Sequence, residues 1–429
     1  MELIGKGSYS IVFLNKEKNV VTKISHLYDY QNRTAYIDPS ILTEIIMLKS
    51  LQQIPRIPKL LYVDFLNKVI HEKMEYCGVT LTKWISDVSE DIRKSNILNI
   101  ITQLAQICKS LMDNGYQHTD IKPTNILINP ETLKVTLIDF NLGSVLTTNT
   151  FQQSKWSMSI GTWAYIAPEI LTTDCPSNNS MVWSIGMTLG YLYYGGHPIY
   201  KYDQYPKNET PDSWIETIEK LKELYPDGLI LTEDPDPFIA SVYNKCLQYS
   251  PSIRANLEYI LCINEIPLET FVPKMKCFGK NKNPIRTDAL QLMKGICIRT
   301  NTIDILCRSI GLYDLLSYSY FFTDIIGCLY ISYSINYSTL PVEYLQGFMR
   351  FIKKLFGDVN INDITLDVIR RLNCDCYFIP LDVLTMQYSN CKLSCFEQIM
   401  CYRLLEKQTE PYYLEQLAFN IFLTMASID

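Results

Sequence analysis

The segment His118-Thr119-Asp120-Ile121-Lys122-Pro123-Thr124-Asn125, followed by Leu137-Ile138-Asp139-Phe140-Asn141, constrains this chain more than anything else in it. It sets a carboxylate, an ammonium, an amide and a second carboxylate in fixed order, with a predicted hairpin (Ile126–Ile128, Val135–Ile138) between the amide and the second carboxylate. Moving a phosphoryl group needs a carboxylate near the attacking hydroxyl and oxygen ligands for a hard divalent cation. Asp120 suits the first role, and Asn125 and Asp139 suit the second as Mg²⁺ ligands. Lys122 can neutralise charge that builds on the transferred group. The pattern D-x-K-P-x-N, then D-F fourteen residues after the asparagine, is highly specific.

Upstream residues fit the same chemistry. Ile4-Gly5-Lys6-Gly7-Ser8-Tyr9-Ser10-Ile11-Val12 carries two glycines that let a hairpin backbone approach a polyphosphate, and Val12 offers an apolar surface to a base. A third glycine, common in such loops, is Ser10 here. Eleven residues beyond Val12, Lys23 stands in the next predicted strand, where its ammonium could meet phosphates. Such a lysine needs an acidic partner, and Glu44 lies on a predicted helix whose apolar residues Ile41, Ile45, Leu48 and Leu51 share one face. Taken singly, each of these charges would read as a solvated surface group.

Composition sets the frame. At roughly 150 residues per domain, a chain of 429 residues predicts two or three globular units. Hydrophobic residues make up 47% and charged residues 20%, which suits a packed core rather than disorder. The net charge of −6 gives no electrostatic reason to expect nucleic acid as a partner. The most apolar stretch, Met181–Tyr200, carries four glycines, His197 and Pro198 and has no basic flank, so it is expected as a buried core helix and not a membrane span. Most of the fourteen cysteines stand singly in apolar stretches. The denser set Cys374, Cys376, Cys391, Cys395 and Cys401 lacks zinc-site spacing, so reduced thiols in a cytoplasmic compartment are expected. Short alternating runs (Ser10–Leu14, Asn19–Ile24, Lys59–Phe65, Lys68–Glu75) predict a small β-rich lobe. A mainly helical pattern follows to about residue 262. Residues 263–286 read as a linker, and 287–429 as helical throughout, without strands.

With its motifs in this order, the stretch 1–262 resembles a eukaryotic-type protein kinase domain. Further matches carry the resemblance. Met74-Glu75-Tyr76-Cys77 resembles the gatekeeper and hinge, which implies adenine contacts at Glu75 and Cys77. Gly161-Thr162-Trp163-Ala164-Tyr165-Ile166-Ala167-Pro168-Glu169 resembles the end of an activation segment, and Trp183-Ser184-x-Gly186 the central C-lobe helix. Arg254 stands where the family pairs an arginine with the glutamate that is Glu169 here. The Lys-Pro catalytic loop and Gly161-Thr162 imply serine/threonine substrates, and the region around Glu44 resembles the cyclin-dependent kinase group. The resemblance implies a bilobal α+β fold, ATP and Mg²⁺ as cofactors, protein substrates, and catalytic roles for Asp120, Lys122, Lys23 and Glu44.

Four positions depart from that pattern. Thr119 replaces the arginine before the catalytic aspartate, so no guanidinium there can grip a phosphorylated loop. Asn141 replaces a glycine, Met181 replaces an aspartate, and only four residues precede Gly5. None of these removes Lys23, Glu44, Asp120, Asn125 or Asp139; a pseudokinase or nucleotide-binding scaffold is the alternative.

Beyond the linker, Ile310-Gly-Leu-Tyr-Asp314-Leu-Leu-Ser317, Asp324-Ile-Ile-Gly-Cys-Leu-Tyr-Ile-Ser332 and Val368-Ile-Arg-Arg-Leu-Asn-Cys-Asp375-Cys-Tyr-Phe-Ile-Pro380 resemble a cyclin box. A generic helical regulatory domain is the other reading. Tyr333 stands where a cyclin would carry its kinase-binding lysine, and Thr365 or Asp367 where it would carry the partner glutamate. The resemblance implies an intramolecular contact with the kinase N-lobe, apolar in character, through Ile41, Ile45 and Leu48. The isoleucine-, asparagine- and tyrosine-rich composition suits a large DNA virus with an A+T-rich genome, hence the host cytoplasm.

Overall fold

The alternating runs near the N-terminus pair into one five-stranded sheet. A computed structural model of the chain describes residues 1–6, 10–26, 39–66, 69–114, 116–140, 144–145, 162–173, 179–208, 210–232, 235–262, 277–278, 286–300, 302–316, 321–337, 342–357, 359–373, 376, 401, 405 and 412–413. The strands are β1 (Glu2–Lys6), β2 (Ser10–Asn15), β3 (Val20–His26), β4 (Leu60–Leu66) and β5 (Val69–Glu75), in the order β1-β2-β3-β5-β4. β1 runs antiparallel to β2, with Gly5 opposite Val12, and β4 antiparallel to β5. Between β3 and β4 in sequence comes helix α1 (Pro39–Ser50).

Two compact units make up the chain. The first comprises Met1–Ile24, Leu51–Gly143 and Phe151–Phe271; the second comprises Ser25–Ser50, Ser144–Thr150 and Val272–Asp429. Helix α1 therefore belongs to the unit of the C-terminal helices, although its sequence lies within the N-terminal strands.

In the first unit the sheet is followed by β6 (Val79–Thr80), α2 (Leu81–Asp87), α3 (Glu90–Ser95), α4 (Ile97–Asp113), β7 (Tyr116–Gln117), β8 (Ile126–Ile128) and β9 (Val135–Leu137). Then come α5 (Pro168–Thr173), α6 (Ser180–Tyr194), α7 (Pro211–Leu224), α8 (Pro237–Cys246) and α9 (Leu257–Cys262). Polar side chains start these helices where the sequence offers them: Thr210 and Ser213 cap α7 reciprocally, and Asp236 accepts from the first amides of α8. The core gathers around α4 and α6, with Trp183, Trp214 and Tyr243 at 1%, 1% and 0% exposure. As expected for the Met181–Tyr200 stretch, α6 is a buried core helix. Its face is so close to α8 that a Cβ on Gly186 would stand 2.8 Å from that of Cys246. No helix among the described residues is long and apolar enough to cross a membrane.

The second unit holds α1, β10 (Ser144–Val145), β11 (Cys277–Phe278), α10 (Arg286–Thr300), α11 (Leu306–Leu315), α12 (Phe321–Tyr337), α13 (Val342–Phe356), α14 (Ile361–Arg371) and β12 (Tyr412–Tyr413). Helix α12 is its hub and packs against α1, α11, α14 and β10. Two bidentate ion pairs tie the helices: Arg286 on Asp314 (2.6 and 2.6 Å) and Arg371 on Asp324 (2.6 and 3.0 Å). Both aspartates are fully buried, so losing either arginine would strand a charge. Tyr333 stacks on Phe348 with ring centroids 4.5 Å apart, Thr365 is buried, and Asp367 reaches Arg371 at 3.3 Å.

One expectation needs correction. The stretch 287–429 is not free of strands, because Tyr412–Tyr413 pairs antiparallel with Cys277–Phe278. A two-residue ladder is too short to leave an alternating pattern in sequence. The single apolar face expected on α1 also falls short, since every residue from Ile41 to Leu48 is buried.

Candidate active site

A short turn after β7 places the chemistry. His118 is buried on the ring edge of Phe140, centroids 5.1 Å apart, and its two nitrogens fix the loop on either side. Nε2 donates to the Ile138 carbonyl at 3.0 Å, and Nδ1 accepts from the Asp120 amide at 3.2 Å, which assigns a neutral ring. Burial lowers the pKa of His118, outweighing the attraction of nearby Asp120. Ile138 N–H donates to the Asn125 carbonyl at 3.0 Å, so β9 and the loop are stitched together and Asp139 emerges beside Asn125.

Asp120 is 5% exposed, and three donors hold its carboxylate. Asn125 Nδ2 donates to Oδ2 at 2.9 Å, Lys122 Nζ to the same oxygen at 2.7 Å, and the Thr162 amide to Oδ1 at 2.9 Å. Lys122 also donates to Thr162 Oγ1 at 2.6 Å. Two segments about forty residues apart thus close on one carboxylate.

Asp139 takes a left-handed backbone, φ 69°, and its Oδ1 is buried without a hydrogen-bond partner. An orphaned carboxylate oxygen beside an asparagine is a donor set of the kind hard cations select. The residues therefore fit Mg²⁺, with Asn125 and Asp139 as the groups that would hold it.

The segment bearing Thr162 is pinned by Ser184 and His197, which the sequence did not single out for this, and by the Arg254–Glu169 pair it did. Ser184 Oγ donates to the Tyr165 carbonyl at 2.8 Å, and His197 Nε2 is 3.0 Å from that of Ala164. Arg254 forks onto Glu169 at 2.8 and 2.7 Å and lies over the Trp183 ring at 5.3 Å. Burial raises the pKa of Glu169, yet the Arg254 hydrogen bonds and charge prevail and hold it below the ordinary carboxylate value.

At the other wall, Lys23 is half-buried on β3, and Ser10, Ile11 and Val12 lie on β2. Ile4, Gly5 and Lys6 end β1 on its exposed side, while Gly7, Ser8 and Tyr9 lie outside the described residues, as do Asn141 and Gly161. Glu75 N–H donates to Lys59 O at 3.0 Å and Tyr76 N–H to Asn19 O at 3.1 Å, fixing the expected hinge. Burial, reinforced by Glu75, pushes the Cys77 thiol up to about 11. Just after the expected hinge, Gly78 is a conformational requirement the sequence analysis missed: its φ is +120°, and a Cβ there would stand 2.2 Å from the Ile128 carbonyl. Glu44, 5% exposed on α1, lies in the second unit.

Comparison with known sequences matches residues 1–264 to the protein kinase domain family. The chain belongs to the protein kinase family. Mouse cyclin-dependent kinase-like 4 is 28% identical over 226 residues, covering 52% of this chain and 62% of that protein. Mitogen-activated protein kinase kinase 2 of Arabidopsis thaliana is 27% identical over 294 residues, covering 67% and 76%. Cyclin-dependent kinase B2-1 of the same plant is 26% identical over 205 residues, covering 45% and 64%. The chain spans 62% and 56% of the mouse and human cyclin-dependent kinase-like 4 proteins. In kinase terms the five-stranded sheet is the N-lobe and the α4–α6 core the C-lobe, and use of ATP and Mg²⁺ is general to the family.

Proposed function

We propose that the chain phosphorylates serine and threonine hydroxyls of proteins, with residues 1–262 as the catalytic domain, 263–286 as a linker and 287–429 as a cyclin-like regulatory domain. The observation that carries the reading is the closure of Lys122 and the Thr162 amide on Asp120. In that frame Asp120 orients the substrate hydroxyl and takes its proton while the oxygen bonds the γ-phosphorus of ATP and the bond to the β,γ-bridging oxygen breaks, releasing ADP. Lys122 offsets charge on the transferred group. Lys23, paired with Glu44, holds the α- and β-phosphates, the stretch Ile4–Val12 covers them, and Glu75 and Cys77 line the adenine end. Mg²⁺ held by Asn125 and Asp139 supplies charge neutralisation and alignment of the phosphates. Thr162 is bonded through both its amide and its hydroxyl to the catalytic loop, and the Lys122-Pro123 loop together with Gly161-Thr162 supports serine/threonine over tyrosine.

Where α1 sits supports a reading of control in cis. The helix bearing Glu44 is packed on α12 of the C-terminal region, and Ile41, Ile45 and Leu48 are 5%, 1% and 2% exposed. The C-terminal helices would then act as a built-in activator.

The test is transfer of labelled γ-phosphate by the purified full chain to a mixed serine/threonine substrate and to a tyrosine-only polymer. Labelling of the first and not the second is expected. Nucleotide binding without transfer to either would replace the enzyme reading with the scaffold one.

A further inference from the structure

Helix α12 ends at Tyr337, so Ser334 lies in its last turn, where a carbonyl can still take a bond from outside the helix. The Ser334 carbonyl is met from a distant part of the chain: Thr43 Oγ1 of α1 donates to it at 3.0 Å across 291 residues. Thr43 and Ser334 are both 0% exposed, so water cannot take over either end of the bond. The hydroxyl of Ser334 turns the other way, donating to Tyr330 O at 2.9 Å, which leaves the carbonyl as the group facing α1. The same helix end is anchored on its far side, where Asn336 Nδ2 donates to Asp304 Oδ2 at 3.3 Å.

This bond does something apolar contact cannot. From Ile41 to Leu48 the helix α1 is buried on every face, and Ile41, Leu42, Ile45, Ile46, Met47 and Leu48 are all 5% exposed or less. Hydrophobic attraction is non-directional, so a helix apolar all round has little to distinguish one rotation or axial position from the next. A hydrogen bond to a fixed carbonyl does distinguish them, and breaking it would take the acceptor from the buried Thr43 hydroxyl. Thr43 immediately precedes Glu44, about 100° and 1.5 Å away on the helix.

We infer that Thr43 is a positioning residue, whose hydrogen bond to the end of α12 sets the register in which α1 presents Glu44. The inference rests on the proposed role of Glu44 in holding Lys23 for phosphoryl transfer.

Two pairs of variants of the full chain isolate the hydroxyl: wild type against Thr43→Val, which keeps the shape, and Thr43→Ser against Thr43→Ala. Losing the bond should lower kcat about tenfold, the scale of one buried hydrogen bond, while the ATP dissociation constant stays within about threefold. Thr43→Ser should stay within about twofold of wild type in kcat. Undiminished kcat in Thr43→Val, or equal losses in the serine and alanine variants, would overturn the inference. If Thr43→Val does not accumulate as folded protein, the serine–alanine pair decides alone. If the wild-type chain transfers no phosphate, the proposed function fails first, and amide exchange across residues 39–50 decides instead. Thr43→Val should then speed that exchange and Thr43→Ser should not; equal exchange in both would sink the register role.

Discussion

Asp120 accepts from an amide side chain, an ammonium and a backbone N–H at once, so its carboxylate cannot turn without breaking a bond. Asp120→Asn keeps that size while removing the charge that draws a proton. Transfer is expected to fall by about 10²–10⁴ with ATP affinity nearly unchanged, and Asp139→Asn to weaken only the Mg²⁺-dependent part of nucleotide binding. Radiometric assay beside equilibrium binding separates the two; unchanged phosphorylation by Asp120→Asn would remove it from catalysis. His118 makes a different prediction. Its pKa is held below the ordinary 6.5 chiefly by burial, so as pH falls the unfolded chain binds the proton first. Its contribution to stability is complete above about 6.5 and is lost below it, at up to about 1.4 kcal/mol per pH unit, until the folded ring titrates too. Urea titrations from about pH 8 to pH 5 should show that slope, and His118→Gln should be less stable but flatter across the range. Asp120, Lys122, Asn125 and Asp139 were legible because side chains at fixed spacing leave a pattern in sequence. The Thr162 amide was not, since a backbone donor has no residue signature, and neither was the role of His197, a lone histidine in an apolar stretch.

Strands β2 to β5 and the β8–β9 hairpin could be read from alternation, and α1 from its 3.6-residue repeat. The repeat understated α1, because periodicity reports a face only when another face stays wet. Gly78 escaped because its need for a positive φ is created by the later arrival of β8 against it. The β11–β12 ladder joins residues more than 130 apart over two residues each, below anything a local pattern can carry. The loop after Asp139 carries a prediction of its own. Thr119 puts no guanidinium beside Asp120, so replacing Thr147, Thr148, Thr150, Ser154, Ser157 and Ser159 together by alanine should leave kcat within a few-fold. Phosphatase treatment should change equally little. A loss of about a hundredfold, reversed on rephosphorylation, would mean that another cation reads those phosphates.

At the level of the whole molecule, α1 is the element that makes two sequence regions one folding problem. A chain ending at Ile263 retains α1 but lacks α12, leaving a helix apolar on every face without the partner that accepts from Thr43. Such a chain should melt at lower temperature, associate in solution and phosphorylate poorly, and co-expression with residues 272–429 should restore monomer and activity together. Thermal melts, size-exclusion chromatography and the labelled-ATP assay check the three. A stable, fully active truncation would reduce the C-terminal helices to a targeting module.

The separation of 291 residues between Thr43 and Ser334 also has a meaning in time. At about 5–20 residues per second, a ribosome that has just made α1 needs roughly 15–60 s more to deliver the end of α12. For that interval the growing chain carries an apolar helix whose binding surface does not yet exist. It is in that state a client for any chaperone that shields such segments, and slow decoding anywhere between residues 50 and 337 lengthens the wait.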